Sequence, residues 1–306
     1  MEKTESINVK ESSSSNKNKS KYVLEFITEK IFMISALMAV VSLLLIIGFV
    51  FYKGLIPFVS EGYSFIDFIF GTEWLPSSKQ FGIGSMIVTS MVATIGALII
   101  GVPIGILSAI FIAEICPKKY AKIISTAVEL LAGIPSVLYG IFGLAVIVPA
   151  IQTVLNLPKG QSLLAVIIVL AIMMLPTIIS LSETSIRAVP KSYKEGSLAL
   201  GASKIETIFK VTVPAAKSGI LAGVILGIGR ALGETMAVIL VAGNSTAMPT
   251  SLLDSARPLT TNIALEMGYA AGTHQNMLFA TGVVLFIFII IINLVLTKLT
   301  SKGVDR

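Results

Sequence analysis

Two ionisable side chains stand inside a run otherwise suited to hydrocarbon. The stretch Gly227-Ile228-Gly229-Arg230-Ala231-Leu232-Gly233-Glu234-Thr235-Met236-Ala237 holds Arg230 and Glu234, four residues apart. Arg230 lies 13 residues after Lys217 and 14 before Asn244, near the middle of an apolar segment. One charge at a bilayer centre costs about 2.5–3.5 kcal/mol on insertion scales, and a second doubles that unless the two interact. At i, i+4 on a helix the two share a face and can pair. The Arg-first order is the weaker one for an isolated helix, so helix stability is a poor reason for their presence. An ion pair bridging helices is one reading. A solute pathway is the other, and intramembrane ionisable groups mostly serve pathways. A guanidinium stays charged and offers a planar fork of donors that fits oxyanions. Glu234 would neutralise Arg230 at rest and compete with a bound anion for its donors. Gly227, Gly229 and Gly233 would let a neighbouring helix or a solute come close.

Other chemistry finds little to work with. Cys116 is the single cysteine and His274 the single histidine, so no disulfide within the chain and no His/Cys metal cluster is expected. No G-x-x-x-x-G-K-[ST] loop occurs, so ATP hydrolysis is not expected of this chain, and no catalytic residue is assigned.

Elements that would position such a pair are legible in the composition. Of 306 residues 55% are hydrophobic and 13% charged, too few polar side chains for the surface of a soluble fold. Six stretches approach or exceed the ~20 apolar residues that a crossing helix needs: about Ile31–Tyr52, Gly82–Ala113, Ile123–Ile151, Gln161–Ser182, Lys217–Asn244 and Met277–Thr297. Pro103 marks a kink in the second, and Pro135 and Pro149 in the third. Residues 1–22, with the run Ser12–Ser15 and several lysines, read as a disordered tail, and 301–306 as a short second tail. The first apolar stretch is too long for a signal peptide and reads as an anchor. The expected fold is therefore an all-α integral membrane protein of six spans.

Basic residues orient it. Of 23 Lys and Arg, eighteen fall in the amino-terminal tail, the loops after spans two and four, and the carboxyl tail. Only Lys53, Lys79, Lys159 and Arg257 fall in the alternate loops. Cytoplasmic loops retain Lys and Arg, so both termini are expected in the cytoplasm. The +6 net charge is thereby explained without nucleic acid. Phe58, Tyr63, Phe65, Phe68, Phe70 and Trp74, in the loop 53–81, read as an interfacial belt, with contact to a solute-binding protein as the alternative. His274 reads as a solvated side chain, and Glu129 as a structural group near the end of span three.

The longest cytoplasmic connection, 183–216, carries its own order. Two capping boxes are expected, Ser192 with Glu195 and Ser203 with Glu206. Gly201 sits where a left-handed residue would end the first helix, and Pro214 where the second would stop. Ile205, Ile208, Phe209 and Thr212 would share one face of the second. A pair of surface helices packed under the bundle is the plain reading.

The text Glu195-Gly196-Ser197, then Gly201-Ala202, Phe209 and Val213-Pro214, resembles the EAA loop of ABC importer permeases, with Gly196 and Ser197 replacing the two alanines of the family pattern. That resemblance implies the type I permease fold, with Glu195, Gly196, Ser197, Gly201, Ala202, Phe209 and Pro214 in a helix pair docking on a separate ATPase. The string from Gly229 to Val238 resembles the span-five signature of the permeases of the high-affinity phosphate importer, and Met236-Ala237-Val238 is similar to its PstC-type subunit. The PstA-type partner usually follows the Thr with Ala-Pro. Glu129 to Val137 also matches the phosphate permeases, and the similarity runs over about 80–300. It implies phosphate as solute and Arg230 and Glu234 as pathway residues. The implied partners are a PstA-type permease, a PstB-type ATPase dimer holding ATP and Mg, and a PstS-type binding protein, all at a cell membrane. Molybdate, sulfate or phosphonate is the alternative solute. An ion-gradient transporter is the alternative class, but no repeat relates spans one to three and four to six.

Overall fold

The computed structural model describes residues 2–301, with side chains described at Tyr22, from Glu25 to Val295 and at Lys298. The chain divides into two units, Met1–Lys53 and Gly54–Arg306. The fold is almost wholly helical, with one two-residue hairpin, β1 (Trp74–Leu75) and β2 (Gln80–Phe81), paired antiparallel.

The helices are α1 (Glu2–Val59), α2 (Phe65–Phe70), α3 (Gly84–Ile110), α4 (Lys118–Ala132), α5 (Ser136–Phe142), α6 (Val148–Val154) and α7 (Leu163–Arg187). Then come α8 (Lys191–Ala199), α9 (Lys204–Thr207), α10 (Val213–Ala215), α11 (Lys217–Gly233), α12 (Met236–Val241), α13 (Leu259–Glu266) and α14 (Thr273–Ser301). Wider π turns follow α3 (Phe111–Ile115), join α5 to α6 (Gly143–Ile147) and join α9 to α10 (Ile208–Thr212).

Among the described residues, five helical segments have the length and composition to cross a membrane: Glu25–Val59, Gly84–Ile115, Ser136–Val154, Leu163–Arg187 and Thr273–Val295. A sixth arises if Lys204–Ala215 and Lys217–Gly233, bent by 69° at their junction, count together. Leu37, Leu43, Leu44 and Leu45 stand exposed along α1, as a helix does whose surroundings are lipid or another chain. Residues 2–22, expected as a disordered tail, continue α1. No glycine or proline interrupts the chain before Gly48. The tail expected at 301–306 lies outside the described residues after Ser301.

α7 is the most enclosed of the candidate spans, and α3 and α11 pack against it. Ser162 caps α7 by accepting the N–H of Ala165. Its apolar side chains, Val166, Leu170, Met174 and Ile178 among them, form the main core with Ile228 and Leu232 of α11 and Val238 and Val241 of α12. Burying each such side chain contributes about 1.5–3 kcal/mol in a watery reference, less against lipid.

The third span differs from the single stretch expected over 123–151. α4 ends at Ala132, Gly133-Ile134-Pro135 breaks the helix, and a membrane-length segment starts afresh at Ser136. The residue before a proline avoids the α region and the proline offers no N–H, so the break falls there. α4 keeps an inward side of Ala121, Ile124 and Val128 in a second core with Ile110, Ile112, Ile186, Ile208 and Ile220. Pro149, expected as a kink, sits in the first turn of α6, directly after a π turn.

Candidate functional site

The stretch expected as the fifth span is not continuous either. α11 stops at Gly233, Glu234 is extended (φ −70°, ψ 130°), and α12 restarts at Met236. Glu234 therefore does not share a helix face with Arg230, and the i, i+4 ion pair that the spacing allows is absent. Its carboxylate Oε1 instead accepts the N–H of Ala237 at 3.1 Å, meeting one of the orphan donors at the start of α12. The Glu234 carbonyl accepts Thr260 Oγ1 at 3.0 Å, and the Gly233 carbonyl accepts Thr235 Oγ1 at 3.2 Å. Side chains thus satisfy part of what the broken helix leaves unpaired.

Arg230 is half-buried, one turn before that break. Ala222, Leu226, Gly229, Arg230 and Gly233 recur at helical spacing, and all are exposed or half-exposed. They make one open stripe along α11 with Arg230 as its only charge. Gly229 and Gly233 face open space, whereas Gly227 lies against Ile178 of α7, so one of the three glycines serves packing and two keep the stripe clear. The Tyr139 hydroxyl of α5 donates to the Leu131 carbonyl at 2.8 Å. Beside it, a Cβ added at Gly140 would stand 2.7 Å from Ala237 Cα, so α5 and α12 touch backbone to backbone.

At one end of the bundle lie α8–α10. Gly201 takes φ +88°, the left-handed turn expected between the helices. Ser203 and Glu206 form the expected capping box, and those hydrogen bonds from Ser203, then Lys210, hold the Glu206 carboxyl at about 2. The other box is absent: α8 starts at Pro190 without a side-chain cap. Lys191 is already helical, so Ser192 lies inside the first turn and not at the N-cap, and a box from Ser192 to Glu195 has no place to form. Pro214 does not stop the second helix. It sits in the first turn of α10, and the π turn before it supplies the wider winding. That turn also splits the expected apolar face. Ile208 and Thr212 pack inward, while Ile205 and Phe209 stay exposed with Tyr193 and Leu200, the last 91% exposed. Glu195 and Gly196 are exposed, and Gly196, Ser197, Gly201 and Ala202 border an open groove of about 650 Å³.

Charged groups tie this end to the spans. Lys194 of α8 pairs with Glu114 in the π turn after α3. Glu183 of α7 accepts Ser125 Oγ of α4 at 2.8 Å and Arg187 Nε at 2.8 Å, and Arg187 Nη2 donates to the Ile112 carbonyl at 3.1 Å. Sequence reasoning passed over Glu183, although its i, i+4 spacing to Arg187 was a signal. Glu129, singled out there, stands exposed on α4.

At the opposite end the aromatic side chains expected as a belt in the loop 53–81 divide between core and surface. Phe68, Trp74 and Phe81 are buried with Leu259, Met277 and Leu278, although Phe65 and Phe70 remain exposed. The turn between β1 and β2 folds the ring of Trp74 against Phe81, centroids 5.4 Å apart, and that enclosure removes them from any interface. His274 is not solvated: its Nε2 lies 2.8 Å from Glu266 Oε2, which also accepts Trp74 Nε1 at 2.7 Å. Arg257 Nη1 donates to Glu266 Oε1 at 2.7 Å. Asp254, accepting the N–H groups of Thr250 and Ser251, is held below the usual carboxylate range. No single segment held Glu266 and its partners, so periodicity carried no sign of them. Among the described residues no group of three His, Cys, Asp or Glu is placed to hold a metal ion.

Residues 101–305 match the family described as binding-protein-dependent transport system inner membrane component. The chain belongs to that family. These inner membrane components include a Bacillus subtilis relative named probable ABC transporter permease protein YqgH, 41% identical over 87% of this chain and 88% of its own length. The phosphate transport system permease protein PstC of Mesorhizobium japonicum is 37% identical over 76% of each chain. A solved bacterial ABC transporter involved in import of the acidic polysaccharide alginate shares the fold, with TM-score 0.59 and 17% identity over 87% of this chain and 95% of that one. The chain thus has the all-α ABC importer permease fold and is a multi-pass membrane protein.

Proposed function

We propose that this chain is a permease subunit of an ATP-driven importer that carries inorganic phosphate into the cytoplasm. One observation carries the reading: Arg230, without a carboxylate partner, stands as the only charge on the open stripe of α11, one turn before the break at Glu234. A fixed cation there costs free energy that a passing anion returns, and its fork suits phosphate oxygens. Glu234 keeps a negative charge four residues away in the chain, which weakens phosphate binding enough for release without occupying the guanidinium. The naming of relatives such as the PstC proteins supports phosphate over molybdate, sulfate or phosphonate.

In this reading the chain crosses the cell membrane six times, the fifth crossing built from α11 and α12, with both termini in the cytoplasm. The charge asymmetry of the loops supports that orientation. The open stripe of α11 faces a homologous PstA-type permease across the pathway. The exposed side of α8–α10, with Glu195, Phe209 and the groove beside Gly201, docks on a PstB-type ATPase dimer, which binds ATP and Mg, while this chain holds no cofactor. Lys194–Glu114 and the Glu183 cluster carry the motion to the spans. The hairpin end meets the phosphate-loaded binding protein.

The test is Arg230→Gln in the complete transporter. Uptake of labelled phosphate should vanish while membrane insertion and ATPase assembly stay normal. Uptake at the parental rate would overturn the reading.

A further inference from the structure

α13 touches both the hairpin end and the break in the fifth span. Thr260 and Glu266 are six residues apart on it, about 9 Å along the axis. At its start Thr260 Oγ1 donates to the Glu234 carbonyl, and the Leu259 N–H donates to Ser90 Oγ of α3 at 3.1 Å. At its end the Glu266 carboxylate, 6% exposed, collects Trp74 of β1, Arg257 of the loop before α13 and His274 of α14. Arg257 spreads further, from Nε to the Asn244 carbonyl at 2.9 Å and from Nη1 to Asn262 Oδ1 at 3.1 Å.

Stability alone is a weak reason for such a cluster, because well-packed apolar residues often serve as well as a buried ion pair. The cluster is also incompletely satisfied. Asn262 Nδ2 and Asn244 Oδ1 are buried without a partner, and Asn244 sits at φ +60°. Orphaned polar atoms and a left-handed non-glycine residue mark a segment held by its surroundings rather than by its own preference.

We infer that Glu266 is a positioning residue for transport. It fixes α13 against the hairpin, and α13, through Thr260, fixes the backbone at Glu234 and so the presentation of Arg230 and α12. The hairpin end thereby acts on the break directly, without passing through α8–α10. Its bearing on transport rests on the phosphate reading; its geometry does not.

Two variants test it in the assembled complex, Glu266→Gln and Thr260→Val, with Glu266→Asp as the charge-preserving control. Hydrogen exchange over 234–239 should rise at least five-fold in the first two, stay within two-fold of the parent in the third, and not change over 191–207. Maximal phosphate uptake should fall at least five-fold, with the half-saturating concentration within two-fold. Unchanged exchange over 234–239 in both variants overturns the strut, whatever uptake does. Raised exchange with parental uptake overturns its role in transport. Failure of the phosphate reading is seen separately, as Arg230→Gln leaving uptake intact.

Discussion

Glu234 accepts the N–H of Ala237 at 3.1 Å, so its carboxylate serves the start of α12 and leaves the guanidinium of Arg230 unpaired. A pair that adjacent turns of one helix would have joined is separated by a break in that helix. In the proposed pathway the fixed charge and the carboxylate four residues on therefore do different work.

Separating cap from charge gives the first prediction. Glu234→Gln keeps an acceptor for Ala237 and should leave thermal stability in detergent within about 0.5 kcal/mol of the parent. Glu234→Ala orphans a buried N–H and should cost about 1–3 kcal/mol. Both remove the negative charge beside Arg230, so in both the half-saturating phosphate concentration for uptake should fall. Equal stability of the two variants would show that the cap does not hold α12.

The proposed docking on the ATPase is separable from folding. Leu200 and Phe209 are exposed, so Leu200→Asp and Phe209→Ala should change the melting temperature little. The same changes should abolish co-purification of the ATPase, measured by pull-down of the tagged permease. Retained ATPase would move the docking face elsewhere.

The capping box of α9 has a readable pH range. Glu206 is held at about 2, below its ordinary 4.5, so its contribution to the loop is fully present above about 4.5 and is lost as pH falls through about 2. Exchange protection over 203–207, corrected for intrinsic rates, should be level from pH 7 to 5 and decline only in that acid window. Glu206→Gln should show no such decline. Loss of protection already between pH 7 and 5 would contradict the box.

Much of the fold was legible before any coordinates. Apolar runs marked the spans because a crossing helix has no other way to satisfy its backbone in lipid, and Gly201 marked the turn between α8 and α9 because its φ of +88° disfavours a side chain. Ser203 and Glu206 capped α9 as their spacing required. Ser192 did not, since α8 begins at Lys191 and puts Ser192 inside its first turn. Pro135 was read as a kink and proved to be a restart, because a proline after Gly133-Ile134 does more than bend a helix. His274 and Trp74 were read by type and local setting, and both were assigned to solvent or interface. Their partner Glu266 lies eight residues from one and 192 from the other.

Taken alone, the sequence determined what local rules control: the length and apolarity of the spans, the loop asymmetry in Lys and Arg, the left-handed turn at Gly201, and the presence of Arg230 in mid-span. Each depends on a residue and its near neighbours, through backbone preference or transfer from water. Only the tertiary structure decided where the fifth span breaks, which face of α11 stays open, that Thr260 reaches Glu234, and that Glu266 gathers three segments. Those depend on contacts between residues far apart in the chain, whose free energies no periodicity records. The chemistry of Arg230 was written locally; its freedom from Glu234 was a property of the fold.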